Sequence, residues 1–150
     1  MGAGERRSFK REEAHVTPLT QVRIETTVWP TEDSAKVKAA VLNIFPDARF
    51  AESQGMLSAE SESLEKLREM LRNQRIRDSA GRILREARSG STIRFSLNKE
   101  AAFVGRVNFA PPSPMGPIDV FIEGEDIDRL VGFLIGKSES EAANPPENLD

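Results

Sequence analysis

The side chains that carry most enzymatic chemistry are scarce in this sequence. It has no cysteine, which excludes disulfides, thiolate metal sites and cysteine nucleophiles together. The single histidine, His15, falls in a polar leader, badly placed to act as base for a serine nucleophile. No phosphate-binding P-loop, dinucleotide fingerprint or zinc motif occurs. One carboxylate cluster, Asp119, Glu123, Glu125, Asp126 and Asp128, offers the oxygen ligands that a hard cation such as magnesium takes. The same acids have a plainer reading. Asp119 and Glu123 are outward residues of a strand, and the other three stand where a helix N-terminus favours negative charge. The expectation is a protein that is not an enzyme and carries no cofactor or metal.

Basic chemistry is more concentrated. Residues 64–99 hold ten Lys and Arg against four acids, whereas residues 118–150 hold two bases against nine acids. Arg outnumbers Lys fifteen to six, which suits planar forks that grip phosphate or carboxylate. Ile93, Phe95 and Leu97 alternate, as do Phe103, Gly105, Val107 and Phe109, which predicts a hairpin with Asn98–Ala102 as its loop. In that register Arg94 faces Arg106 and Leu97 faces Phe103. Directly opposed like charges cost roughly 0.2–1 kcal/mol in a sheet, and the neighbours Thr92, Ser96 and Asn108 bring no carboxylate to offset it. A phosphate between the two guanidiniums reverses the sign, with Lys99 and Asn98 close by in the turn. A carboxylate from another strand or a second subunit neutralises the pair equally well, and that alternative stands beside the phosphate site.

Arg75, Arg82 and Arg85, with Arg68 and Arg72 on the helix before them, form a second candidate for nucleic-acid contact. A solvated helix face has the same spacing, with Glu65 and Arg68, and Glu69 and Arg72, as i, i+3 pairs. Stacking on bases is disfavoured: there is no Tyr, one Trp, and most of the eight Phe fall on apolar faces. Contacts to backbone phosphate and to RNA shape remain.

The elements that must position these groups follow from periodicity. At 150 residues and 38% hydrophobic content the chain suits one domain with a modest core. A polar leader (1–18), a single domain (19–136) and a disordered acidic tail (137–150) are expected. The start has no apolar h-region and no run approaches 18 apolar residues, which predicts a cytoplasmic protein without a membrane partner. Val22, Ile24, Thr26 and Val28 predict a strand closed by Pro30. Thr31 is then expected to cap a helix with Glu32 and Asp33 in its first turn, ended by Pro46. Short strands are expected over 49–53 and 56–60, about Gln54-Gly55. Between Ser61 and Arg88 the apolar stripe of Leu64, Leu67, Met70 and Leu71 is out of phase with that of Ile76, Ala80, Ile83, Leu84 and Ala87. The segment therefore predicts two helices broken near Asn73-Gln74. Ile118, Val120 and Ile122 make another strand, and Ile127, Leu130, Val131 and Leu134 a final helix. The order predicts an α+β fold, a mostly antiparallel sheet with helices packed on one face.

Residues 93–109, IRFSLNKEAAFVGRVNF, together with RIRDSAGRIL and VRIETTVWPTEDSAKVKAAVLNIFP, resemble a known family. The chain is similar to an archaeal family of uncharacterised conserved proteins with a predicted RNA-binding, exosome-associated role. The resemblance spans about Gln21 to Leu134, and its most specific element is the N-K-x-A-A turn. It implies a fold like that of ribosomal protein L-five, an α+β sheet with helices on one side. Two positions depart from the family pattern: Glu100 replaces the usual amide, and Gly81 stands where an arginine is usual. An acid beside Lys99 weakens a phosphate contact there, and no catalytic residue carries over.

The reading that results is a non-enzymatic RNA-binding protein contacting phosphates of structured or ribosomal RNA through Arg94, Arg106 and Lys99, with Asn98 beside them and Arg75, Arg82 and Arg85 assisting. The resemblance adds exosome or ribosome-associated proteins as partners. The alternative is a protein-interaction or homodimer module in which the open sheet face, with Val104 and Trp29 upon it, packs against a partner.

Overall fold

In the computed structural model the described residues are 20–109 and 114–136. The expected leader and acidic tail lie outside them.

Alternating apolar residues build one sheet of six strands: β1 (Thr20–Thr27), β2 (Arg49–Ser53), β3 (Met56–Ser61), β4 (Arg88–Ser89), β5 (Thr92–Asn98) and β6 (Pro117–Gly124). Their order is β2-β3-β1-β6-β5-β4, and each neighbouring pair is antiparallel. Val22 and Ile24, Leu57 and Ala59, Ile93 and Leu97, and Ile118, Val120 and Ile122 are all buried on one face. Five helices among the described residues contribute to the same core: α1 (Ser34–Ile44), α2 (Glu65–Asn73), α3 (Arg77–Glu86), α4 (Lys99–Phe103) and α5 (Ile127–Leu134). The fold is therefore the α+β arrangement that periodicity predicts. The second face of the sheet carries the alternate, mostly polar residues.

Local chemistry explains the sharper joints. The β2–β3 hairpin turns on Gln54 and Gly55, with φ of 51° and 80°, the paired left-handed geometry of a type I′ turn. Helix α2 ends in a Schellman motif: the Ile76 amide donates to the Leu71 carbonyl (3.1 Å) and the Arg75 amide to the Arg72 carbonyl (3.0 Å). Arg75 takes the left-handed position at φ 61°, where glycine or asparagine is usual. This is the break that the two out-of-phase stripes demand.

Two expectations are corrected. Asp33, not Thr31, caps α1, its carboxylate accepting from the Ala35 amide at 2.9 Å. Glu32 is drawn away from the helix start, for its carboxylate accepts from the Trp29 amide and from Lys99. The second correction is larger. Residues 99–102 are not a hairpin loop, and 103–109 are not a strand. Asn98 is a helix cap whose Oδ1 accepts from the Ala101 amide at 2.9 Å, so the chain enters α4. Strand β5 pairs instead with β6, Leu97 meets Ile118, and Arg94 meets Phe121. Of the alternating residues after α4, Val107 is buried, Phe109 packs on Phe95 with ring centroids 5.7 Å apart, and Gly105 sits at φ 76°.

Candidate nucleic-acid interface

The change of pairing redistributes the basic residues. Arg94 and Arg106 do not face each other. Arg94 lies at mid-strand on the open face of the sheet, whereas Arg106 lies in the segment after α4 that docks against the helical layer. Lys99 is not a third exposed charge, because its side chain is fully buried. Its ammonium donates to the Thr27 carbonyl (2.7 Å), the Met115 carbonyl (3.1 Å) and both oxygens of Glu32 (3.1 and 3.3 Å). Three donors are thereby satisfied within the protein and none is left for a phosphate. Asn98 spends its side-chain oxygen on the α4 cap. The conspicuous N-K-x-A-A segment is thus a structural clamp that ties α4 to the end of β1 and to the start of β6.

Where one expected pair dissolves, another forms. Gln74, the residue before Arg75, uses its side-chain amide as a short stretch of strand. Its Nε2 donates to the Val107 carbonyl at 2.9 Å, and its Oε1 accepts from the Val107 amide at 2.8 Å. Arg75 and Arg106 each sit one residue from this pair of hydrogen bonds, so two segments separated in sequence converge there. Arg72 is a turn earlier on α2, and Arg82 and Arg85 continue along the solvent side of α3. All five are exposed, and among the described residues none makes an ion pair. Arg68 is spent otherwise: its Nε donates to the Phe133 carbonyl at 2.9 Å and its guanidinium lies 5.0 Å from the Phe133 ring.

The open face of the sheet has a different character. Across the strands runs the row Arg49, Glu60, Arg23, Phe121, Arg94. The guanidiniums of Arg23 and Arg94 lie 4.4 and 5.4 Å from the centre of the Phe121 ring, which is half-buried between them. Arg23 also pairs with Glu25 at 3.4 Å, and Arg49 with Glu60 at 3.6 Å. Asp119 accepts from the Ser96 hydroxyl at 2.6 Å. With Glu123 this face sets four acids against three arginines, so it is not a basic surface as a whole. Sequence reading missed Arg23, Phe121 and Gln74. Arg23 and Phe121 were legible as outward residues of alternating strands, but their meeting depends on strand order. Val104 and Trp29, though 72% and 45% exposed, lie off this face, in the turn after α4 and the loop after β1.

The carboxylates considered for a cation separate as well. Asp126 caps α5, Asp128 pairs with Arg88 at 3.1 Å, and among the described residues no three acids or histidines converge as a metal site would need. No helix among them is long and apolar enough to cross a membrane.

A family profile described as RNA binding matches residues 21–123. The UPF0201 protein TK1335 of Thermococcus kodakarensis is 42% identical over 76% of this chain and 88% of its own length. The chain belongs to this family. Another member, from Sulfolobus acidocaldarius, is 40% identical over 86% of this chain and 99% of its own. The crystal structure of the family member from Methanococcus jannaschii superposes with a TM-score of 0.73 at 38% identity, covering 77% of this chain and 98% of that one. The archaeal family resemblance read from the sequence is therefore correct, and the matched region contains Arg75, Arg94 and Arg106 and all but the end residues Thr20 and Gly124 of the sheet.

Proposed function

We propose that the protein is a non-enzymatic RNA-binding protein that grips the backbone phosphates of structured RNA through the arginine ridge of Arg75 and Arg106, with Arg72, Arg82 and Arg85 extending it. The observation that carries this reading is the Gln74–Val107 clamp, which joins the segment carrying Arg75 to the one carrying Arg106, both exposed and with no ion-pair partner among the described residues. A single helix face of solvated arginines needs no such fixture. Arg75 adds to the case, because it holds a left-handed backbone position that glycine fills with less strain. Arg94 belongs to the RNA surface in another way, taken up below. Lys99 and Asn98 are left out of it for the reasons of geometry given above. A place in RNA processing, with exosome or ribosome-associated partners, is the part of the proposal that rests on family likeness alone.

Fluorescence anisotropy with a labelled stem-loop RNA across a salt series tests the proposal. Affinity should fall steeply with salt, and Arg75→Ala with Arg106→Ala should reduce the log–log slope by about 0.7–0.9 for each phosphate that is no longer neutralised. A salt-independent affinity, or a double variant with the wild-type slope, overturns it. The exposed Val104 and Trp29 favour the alternative of a homodimer or protein-interaction module. A salt-stable dimer in light scattering that Val104→Ser dissociates would be its signature.

A further inference from the structure

We propose that the open face of the sheet is a pocket for an unpaired guanine base, centred on Phe121. The proposal rests on the RNA-binding reading and gives it a sequence-reading element that the arginine ridge lacks. A depression of about 330 Å³ is lined by Gln21, Val22, Arg23, Glu60, Thr92, Phe121 and Glu123, at the lower end of the roughly 300–1,000 Å³ typical of small-ligand clefts. Its floor is Phe121 with the Arg23 guanidinium laid over the ring, and unpaired bases stack on the flat face of such a guanidinium as they do on aromatic rings.

Charge decides what such a floor can hold. With four carboxylates against three arginines, a phosphate chain crossing this face meets more repulsion than attraction. An uncharged base meets neither. Two acids line the depression: Glu60, which pairs with Arg49 at 3.6 Å, and Glu123, which is exposed and makes no ion pair among the described residues. Glu123 lies two residues along β6 from Phe121 and opposite Thr92 and Gln21, on the same face. A carboxylate beside a stacking platform accepts hydrogen bonds and donates none. Guanine presents two adjacent N–H donors on its pairing edge, at N1 and N2, which match the two carboxylate oxygens. Adenine and cytosine each present one amino group next to an acceptor that a carboxylate repels, and uracil a single N–H between two acceptors. Arg94, outside the lining, holds the Phe121 ring from the neighbouring strand, its guanidinium 5.4 Å from the ring centre.

Nucleosides, which carry no phosphate, test the pocket without the ridge. Titration of the isotope-labelled full chain with guanosine, adenosine, cytidine and uridine should shift backbone amide resonances of β1, β5 and β6 most with guanosine. Glu123→Gln should erase that preference. Phe121→Ala, a half-buried position outside the core, should weaken guanosine binding by about fivefold or more. Equal shifts for all four nucleosides, no shift with guanosine, or a preference untouched by Glu123→Gln overturns the pocket. Stem-loop binding and its salt slope, measured on the same samples, report the ridge separately. A protein that binds the stem-loop but ignores guanosine keeps the RNA reading and loses this one. A protein that takes guanosine but no stem-loop does the reverse.

Discussion

Replacing Lys99 by methionine separates the two roles open to that lysine, a phosphate contact or an internal clamp. The Lys99 side chain is fully buried and the Glu32 side chain only 4% exposed. Methionine fills the space of the lysine stem but strands the Glu32 carboxylate and leaves the Thr27 and Met115 carbonyls without the ammonium. Breaking a buried ion pair by removing one partner costs about 3–5 kcal/mol. The Trp29 amide still donates to Glu32, which places the expected loss toward the lower end of that range. Set against the roughly 5–15 kcal/mol that holds a typical domain together, the loss is large but survivable. Urea denaturation followed by far-UV circular dichroism reads it directly. Because much of the loss comes from the stranded charge, adding Glu32→Gln should restore part of it, so the two losses should be less than additive. Under conditions where the variant remains folded, the salt slope of its RNA binding should match the wild type. A Lys99→Met protein within about 1 kcal/mol of wild type, strictly additive losses, or a flattened salt slope would refute the clamp.

The other variants give equally direct readouts. Gln74→Leu removes two hydrogen bonds that pin Val107, an expected loss of about 1–3 kcal/mol, and should speed hydrogen exchange at the Val107 amide while weakening RNA binding; unchanged exchange would show that the clamp does not hold the segment. Arg75→Gly relieves the left-handed position and should leave the protein as stable or more stable by up to about 1 kcal/mol while lowering RNA affinity. A loss of both together would mean that Arg75 serves the fold. Burial pushes the Asp47 carboxyl up, but hydrogen bonds from the Ser61 hydroxyl and the Glu62 amide outweigh it and hold the group below its ordinary 3.8. A lowered folded value makes this contribution complete above the ordinary value and lost as pH falls through the folded one. The stability deficit of Asp47→Ala should therefore be steady near neutral pH and shrink in acid, and urea melts across pH that show a growing deficit would contradict it.

How much of this was legible in the sequence depended on how local each feature was. The β2–β3 hairpin followed from Gln54-Gly55, and the joint between α2 and α3 followed from two stripes out of phase, because both signals lie within a few turns of chain. The hairpin expected over 93–109 does not form because the cap that Asn98 provides for α4 outweighs the alternation of Phe103, Gly105, Val107 and Phe109. Lys99 departs from expectation for a related reason. A lysine in a presumed turn is taken for exposed, and only the fold shows Glu32 and two carbonyls converging on it from 16 to 72 residues away. The row Arg23, Phe121, Arg94 could not be read at all without knowing that β6 lies between β1 and β5.

Strand order also explains why the two groups of arginines do different work. On the sheet, β6 brings Asp119 and Glu123 between the strands that carry Arg23 and Arg94, so each guanidinium shares its surroundings with carboxylates. There the cations are useful chiefly as flat faces beside Phe121. On the ridge, Arg72, Arg75 and Arg106 are exposed on segments joined at Gln74, and none of the three makes an ion pair among the described residues. Their attraction for a phosphate is opposed mainly by their repulsion of one another, and a bound phosphate relieves that repulsion. Surface charge that repels itself in the free protein and is neutralised in the complex should show as a gain in thermal stability on binding RNA. By linkage the gain should reach about 2.7 kcal/mol when free RNA is one hundred times its dissociation constant. It should also diminish as salt screens the ridge, whereas stabilisation by guanosine at the sheet, which involves no phosphate, should be nearly indifferent to salt. Thermal melts with each ligand at two salt concentrations would show whether the two surfaces divide the task in this way, and equal salt sensitivity for both ligands would show that they do not.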